Sequence, residues 1–391
     1  MELFAYSVPY ILFFIFTVSI SLIYVPVIGL KKDAIHANTM LCFYGFILFA
    51  FVFIGCRGLI GTDWLNYYPF FQKAPSLING MDEVKKFISD SYFEKGYAIY
   101  TVLCKTFSSN YFVFQFISFL LDFLILHLFF MRYVKRYYFL GFACFLIFRG
   151  YIIEMIQLRN VKAIMCFLIS IQYIHKRQWW KYYIINTIGM LFHISAIVYL
   201  PLYFLCRLKR YKRLELFVFA VGNIIYLLQI EWLKTLLLQT LHMRYNPYVT
   251  LITQYINSEL YAASYGITIG YLERTVTFIL FYWNYNKIIR FDKRMSVFWY
   301  LFLIYIYIYL FCSEFFIILD RVPNLFVASY WVLYPQLFQL LKKHIRYMFI
   351  ILLVTYGVLR IIASMSIPWA SYENVLFDSI DFIQRKQFAF T

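Results

Sequence analysis

Charge is what this chain has least of. Asp, Glu, Lys and Arg together make up 14% of its 391 residues, and the acidic ones are scarcest, 19 against 36 Lys and Arg. A soluble domain carries about a quarter of its residues as charges, so an ordinary water-exposed surface is excluded. Glycine and proline are also few, 14 and 9. No Gly/Ser linker, low-complexity run or internal repeat breaks the chain. Seven cysteines occur without a Cys-x-x-Cys spacing, and Cys42, Cys144, Cys166 and Cys312 lie in apolar stretches. They read as small packing residues, not as a disulfide framework or a zinc site. No Walker A, GxGxxG, HExxH or DxD pattern appears, so a nucleotide-driven or metal-dependent mechanism has no support and no cofactor is expected.

What the chain has is apolar length. Hydrophobic residues reach 63%, aromatic residues 23%, and the mean hydropathy is +0.70. A helix needs about 20 apolar residues to cross hydrocarbon. Candidate spans are 8–30, 39–56, 111–131, 137–148, 161–174, 182–206, 216–230, 265–286, 296–319, 324–341 and 347–364. The stretch 96–107 is a further piece, expected to be re-entrant or to lie on the surface. In lipid only helices and closed barrels satisfy the backbone, and barrel strands would alternate in polarity. The expectation is an all-α polytopic integral membrane helical bundle, with about eleven to thirteen transmembrane or re-entrant helices. It forms one membrane domain over residues 1–391, with longer extracytoplasmic loops near 57–95 and 231–263.

The net charge of +17 invites a nucleic-acid reading, and its distribution rejects it. Twenty of the 36 Lys and Arg fall in six short clusters, at 31–32, 132–136, 176–181, 207–213, 287–294 and 342–346. Short basic loops mark the cytoplasmic face. With each cluster inside, the start of the chain, 57–95, 154–160, 231–263, 320–321 and the tail from 368 all fall outside. The stretch 8–30 is too long for a cleaved signal and is expected to stay as the first span. One stretch resists: 182–206 is basic at both ends. Either it is a broken hairpin turning near 192–195, or the cluster at 207–213 is an exception.

Ionisable groups recur at the outer ends of these spans, where charge is costly and marks a functional site by default. Arg57, Gly58, Gly61, Thr62 and Asp63 follow one span at once. Arg is suited to bidentate contacts with phosphate oxygens, and Gly to sharp turns; the plainer reading is a helix exit with a snorkelling Arg. Glu94, Lys95, Gly96 and Tyr97 open the ambiguous helix, where a carboxylate at a helix start is favoured by the dipole alone. Arg149, Glu154, Gln157, Arg159 and Asn160 cross an outer turn, as an anion clamp or as an Arg–Glu tie. His193 and Ser195 sit in an apolar stretch, where His is a packed group or a base or proton relay. Glu273, Arg274, Glu314, Asp320 and Arg321 lie toward other outer ends; they balance one another or complete an anion site. Tyr67 and Tyr68 after Asp63, and the tyrosines 245, 248, 255, 261 and 265, suit a headgroup belt or stacking against sugar rings.

Taken together, Arg57…Gly61-Thr62-Asp63…Tyr67-Tyr68…Phe71, Glu94-x-Gly96-Tyr97, Arg159-Asn160-x-x-Ala163 and Phe192-His193-x-Ser195-Ala196…Leu200-Pro201 resemble the EpsG/Wzy family. Those are bacterial O-antigen and exopolysaccharide polymerases. Asn160 stands where the family usually has Gln, and Arg321 resembles its late Arg before an apolar span.

The resemblance implies a membrane glycosyltransferase. It moves a growing glycan from undecaprenyl diphosphate onto the non-reducing end sugar of the next lipid-linked repeat unit. On that reading Arg57, Arg159 and Arg321, with Arg149 or Arg274, hold the diphosphate without a metal. Asp63, Glu94 or His193 is the base, Asp63 favoured. Tyr67 and Tyr68 line the sugar path, and Glu154, Asn160 and Asp320 complete the binding surface. The implied setting is the bacterial inner membrane, multi-pass, with the active site facing the periplasm. The implied partners are the lipid-linked oligosaccharide, membrane lipids and a chain-length regulator. A flippase or transporter of lipid-linked oligosaccharide would use the same anion site without chemistry, but no matching broken repeats appear. A glycan–lipid ligase would differ in its product. A membrane acyltransferase would use His193, though the rest of that pattern is absent.

Overall fold

Backbone in hydrocarbon must pair its own N–H and C=O groups, and the apolar runs of this chain do so as helices. The computed structural model describes residues 2–24, 35–241, 266–314, 322–377 and 380–390. Among these residues no strand forms; the extended pairing is an isolated bridge between Arg57 and Asn374. Tyr111–Tyr133, Lys135–Met155 and Lys343–Met365 are each long and apolar enough to cross a bilayer. Val8–Ile23, Phe43–Gly55, Ile194–Leu205 and Met295–Phe311 are shorter apolar helices. The chain is an all-α, polytopic membrane protein. It separates into two compact units, Met1–Tyr203 with Tyr334–Thr391, and Phe204–Leu333.

In the first unit the expected outer loop is itself built of helices, Trp64–Lys73, Met81–Asp90 and Lys95–Phe107. Trp64, Tyr67, Phe70, Phe71, Phe93 and Tyr97 form its core together with Tyr111 and Phe114 of Tyr111–Tyr133. Burying a large aromatic side chain is worth about 1.5–3 kcal/mol, so this run of rings fixes the cap on the bundle. Two glycines permit the approach. Gly61 takes φ +90°, and a Cβ there would meet Ile156 at 2.6 Å. A Cβ on Gly96 would meet the Leu191 carbonyl oxygen at 2.6 Å.

Two spans are interrupted. Ile35–Ala50 runs into a π turn at Phe51–Gly55, and Tyr138–Phe145 into another at Leu146–Gly150, with non-helical backbone at Phe148 and Arg149. Such turns are rare and concentrate near functional sites. The stretch 182–206 is a broken hairpin. The helix Trp179–Phe192 stops at His193, whose backbone is extended at φ −156°. A 3₁₀ helix, Ile194–Tyr199, then returns beside it. The Tyr183 hydroxyl donates to the Leu200 carbonyl at 3.2 Å, and the Tyr182 and Tyr203 rings lie 5.4 Å apart. The segment leaves near where it began, which removes its conflict with the charge rule.

A strap closes one side of this unit. The Gly58 and Gly61 N–H groups donate to the Glu373 and Trp369 carbonyls, and Val375 N–H donates to Cys56 O. Arg385, from the helix Phe382–Phe390, is fully buried and donates to Leu59 O at 2.9 Å and Ser371 O at 2.6 Å. It also pairs with Glu373 at 2.8 Å. The tail from residue 368, expected simply to lie outside, is therefore part of the fold.

The second unit holds Lys212–Leu227, Trp232–Leu241, Ile269–Phe291 and Met295–Phe311. Its buried charges are partnered locally. Arg210 pairs with Glu215 at 2.8 Å and lies 3.7 Å over the Tyr285 ring. Arg274 donates to Gly270 O and the Tyr305 hydroxyl and stacks at 4.1 Å on Tyr309. Glu314 accepts the Leu233 and Lys234 N–H groups, capping a helix start. Asp320, Arg321 and the tyrosines 245, 248, 255, 261 and 265 lie outside the described residues.

Candidate active site

The motifs expected at span ends in the first unit meet. Arg159 opens the helix Leu158–His175, and Glu94 precedes Lys95–Phe107; their side chains form an ion pair, each 21% exposed. The second Glu94 oxygen accepts the Ile194 N–H at 3.2 Å, so one carboxylate ties the Arg159 helix to the hairpin break. The guanidinium lies 4.2 Å over the Phe93 ring and 5.9 Å from Tyr67. Its Nε is buried without a hydrogen-bond partner.

Asp63 stands one residue before the helix Trp64–Lys73 and is half-buried. Tyr67, one turn on, donates its hydroxyl to Asp63 Oδ2 at 3.4 Å, and Thr62 donates to Oδ1 at 3.3 Å. Burial first, and Asp63 beside it second, push the Tyr67 phenol up to about 12, so it stays a neutral donor. Tyr68 is half-buried, stacked on Phe382 of the strap at 4.8 Å.

The hairpin break supplies the third part. Ser195 N–H donates to His193 Nδ1 at 3.2 Å. The Ser195 hydroxyl lies 2.6 Å from Nδ1 and 3.1 Å from Asn160 Oδ1. Asn160 in turn donates to Gln157 at 3.0 Å. Asp63, Tyr67, Glu94, Arg159, Asn160, Ser195 and His193 thus form one continuous network drawn from four separate stretches.

A second polar cluster lies deeper. Arg57 is 1% exposed and donates to two main-chain carbonyls, Ile54 O and Glu154 O, each at 2.9 Å. Glu154, expected on an open outer turn, is instead buried, and it acts electrostatically with Asp122, Lys162 and Arg57. Glu154 lies on the short helix Tyr151–Met155, which follows the kink directly and buries most of its residues. Lys162 pairs with Asp122 and donates to Ser118 O at 2.9 Å. One oxygen each of Asp122 and Glu154 has no hydrogen-bond partner. Arg57 therefore ties the end of its own span at Ile54 to the backbone of Glu154.

The anion clamp expected from Arg149 and Arg159 together divides. Arg149 lines a separate fissure with Arg360 and Ser364, and Arg159 is not among its lining residues. Arg274 belongs to the second unit. The sequence reading passed over Asp122 and Lys162. The signal was present, an ionisable residue inside each of the runs 111–131 and 161–174.

No curated protein and no solved structure matches this chain. The motifs that resembled a polymerase family are the residues of the outer network, and the EpsG family model matches residues 38–374; the chain belongs to the EpsG family.

Proposed function

We propose that this protein polymerises a bacterial surface polysaccharide, transferring a glycan from undecaprenyl diphosphate to a sugar hydroxyl of the next lipid-linked repeat unit. Family membership and the apolar helices make it a multi-pass membrane protein of the polysaccharide-polymerase type. The finer reading rests on one observation: a half-exposed guanidinium, a carboxylate with its tyrosine and an imidazole share one network. Glycosyl transfer needs those groups. The bond between the sugar C1 and the diphosphate oxygen breaks, and the diphosphate leaves with the electron pair. In this reading Arg159 stabilises that charge, exchanging Glu94 for the phosphate. The acceptor hydroxyl bonds to C1 and gives its proton to Asp63. His193, held at Nδ1 by Ser195, belongs to the same network as a second group able to exchange a proton with the substrate. Arg57 and Glu154 hold this geometry from behind. The orientation is outward, as the basic clusters indicate.

Arg159→Ala, confirmed as inserted in the membrane, is expected to abolish polymer while single lipid-linked repeat units accumulate on the outer leaflet. Full-length polymer from this variant sinks the assignment. Accumulation on the inner leaflet would favour a flippase instead.

A further inference from the structure

The aromatic cap leaves one ring open beside the candidate site. Trp64, Phe70, Phe71, Phe93 and Tyr97 are buried. The two rings expected to line a sugar path are already in use. Tyr67 is 4% exposed, and one face of Tyr68 lies against Phe382, 4.8 Å away and 21° from parallel. Tyr92 is 69% exposed. It stands two residues before Glu94 and acts electrostatically with Arg159. Phe107, the other exposed ring of this stretch, lies at the far end of Lys95–Phe107, about 18 Å along the helix.

A single exposed ring is ordinary on a protein surface. Tyr92 differs in being held. The connector between Met81–Asp90 and Lys95–Phe107 is short and braced. The Ser91 hydroxyl donates to Phe93 O at 3.0 Å and accepts the Phe93 N–H at 3.1 Å. Lys95 Nζ donates to the Ile88 and Ser89 carbonyls at 2.6 and 2.7 Å, closing the end of the preceding helix. The Tyr92 hydroxyl donates to Asn66 O at 3.4 Å. Its ring centre lies 4.2 Å from that of Phe93 and 5.5 Å from that of Phe70, which it meets edge-on. Phe93 is also the ring 4.2 Å beneath the Arg159 guanidinium, so one aromatic supports both groups. A side chain fixed beforehand loses little freedom when a ligand arrives.

The face of an aromatic ring is its negative side. The C–H bonds on one face of a sugar ring are polarised the opposite way, so the two surfaces stack. The guanidinium fits phosphate oxygens. Together they match a sugar joined directly to a phosphate; a lone sugar or a lone phosphate uses half of the site. We propose that Tyr92 is the stacking platform for the sugar joined to the donor diphosphate. The inference rests on the polymerase reading, which supplies that lipid-linked sugar. Tyr92 binds and orients, and exchanges no proton. An axial hydroxyl on the stacked face lifts the sugar off the ring, so the platform selects sugars by the face they present.

The test uses full-length protein in phosphatidylcholine nanodiscs, with binding read by native mass spectrometry. The two probes are undecaprenyl diphosphate and the lipid-linked repeat unit extracted from cells lacking this protein. Tyr92→Ala is expected to bind the glycosylated probe about tenfold more weakly, with the bare diphosphate and the melting temperature unchanged. Tyr92→Trp keeps a flat ring and is expected to retain the affinity. Wild-type affinity of Tyr92→Ala for the glycosylated probe overturns the proposal. An equal loss for both probes also overturns it, because the ring then serves the lipid or the bilayer surface and not the sugar. Arg159→Ala separates the two readings. If it makes no polymer while Tyr92→Ala binds the glycosylated probe normally, the polymerase reading stands and the platform falls. If it makes polymer while Tyr92→Ala loses the sugar-dependent affinity, the platform stands and the role given to Arg159 falls.

Discussion

Two ion pairs share the helix Leu158–His175, three residues apart, and they differ in depth. The side chains of Arg159 and Glu94 are each 21% exposed, whereas those of Lys162 and Asp122 are 8% and 2% exposed. Water reaches the first pair, so Glu94 can yield to a substrate phosphate without leaving a bare charge in apolar surroundings. The second pair has no such exchange open to it. Removing either partner there leaves an uncompensated buried ion. One helix therefore carries a cation whose partner water can replace and, less than one turn on, a cation enclosed with its partner. Depth, not residue type, separates the roles.

The sharpest way to break this contrast is to strand the deep charge. Asp122→Ala is expected to destabilise the protein by about 3–5 kcal/mol, read as a lowered melting temperature in detergent. The double change Asp122→Leu with Lys162→Met is expected to recover most of that loss. A single variant that melts like wild type would deny the cluster its structural role.

The strap comes next. Arg385→Ala removes the guanidinium that holds Leu59 O, Ser371 O and Glu373. A cost of about 3 kcal/mol is expected, with earlier proteolytic cleavage after residue 367. Unaltered protease resistance would show that the strap stays closed without it.

The smallest change in stability is expected from Glu94→Gln, about 0–1 kcal/mol for a half-exposed pair. Polymer yield should fall nonetheless, since Glu94 sets both Arg159 and the Ile194 N–H. A large drop in melting temperature would erase the distinction between the pairs.

Much of the outer network was legible in the chain. Asp63, Glu94, Arg159 and Asn160 each stand in a short polar motif at the edge of an apolar run, and His193 stands inside one, where ionisable groups are rare enough to be conspicuous. Arg57 and Glu154 were equally conspicuous, but their depth was not. A guanidinium that ends on main-chain carbonyls has partners carrying no residue signature, so nothing in the motif distinguishes a brace from a ligand. Asp122 and Lys162 were visible as charges and hidden by their runs, because hydropathy averages a single ionisable group away. The strap was invisible, since Gly58 and Glu373 meet through backbone atoms across most of the chain.

Membrane residence and helical class follow from composition and order alone, because hydrocarbon burial and backbone pairing act on each stretch independently. The family likeness rests there too, in spacing along one strand of text. Which Arg stays half-exposed, which is buried, how 182–206 turns back and what the tail covers arise from packing between distant stretches. Those outcomes depend on the close fit of rings and carbonyls in three dimensions, and local periodicity does not encode that fit.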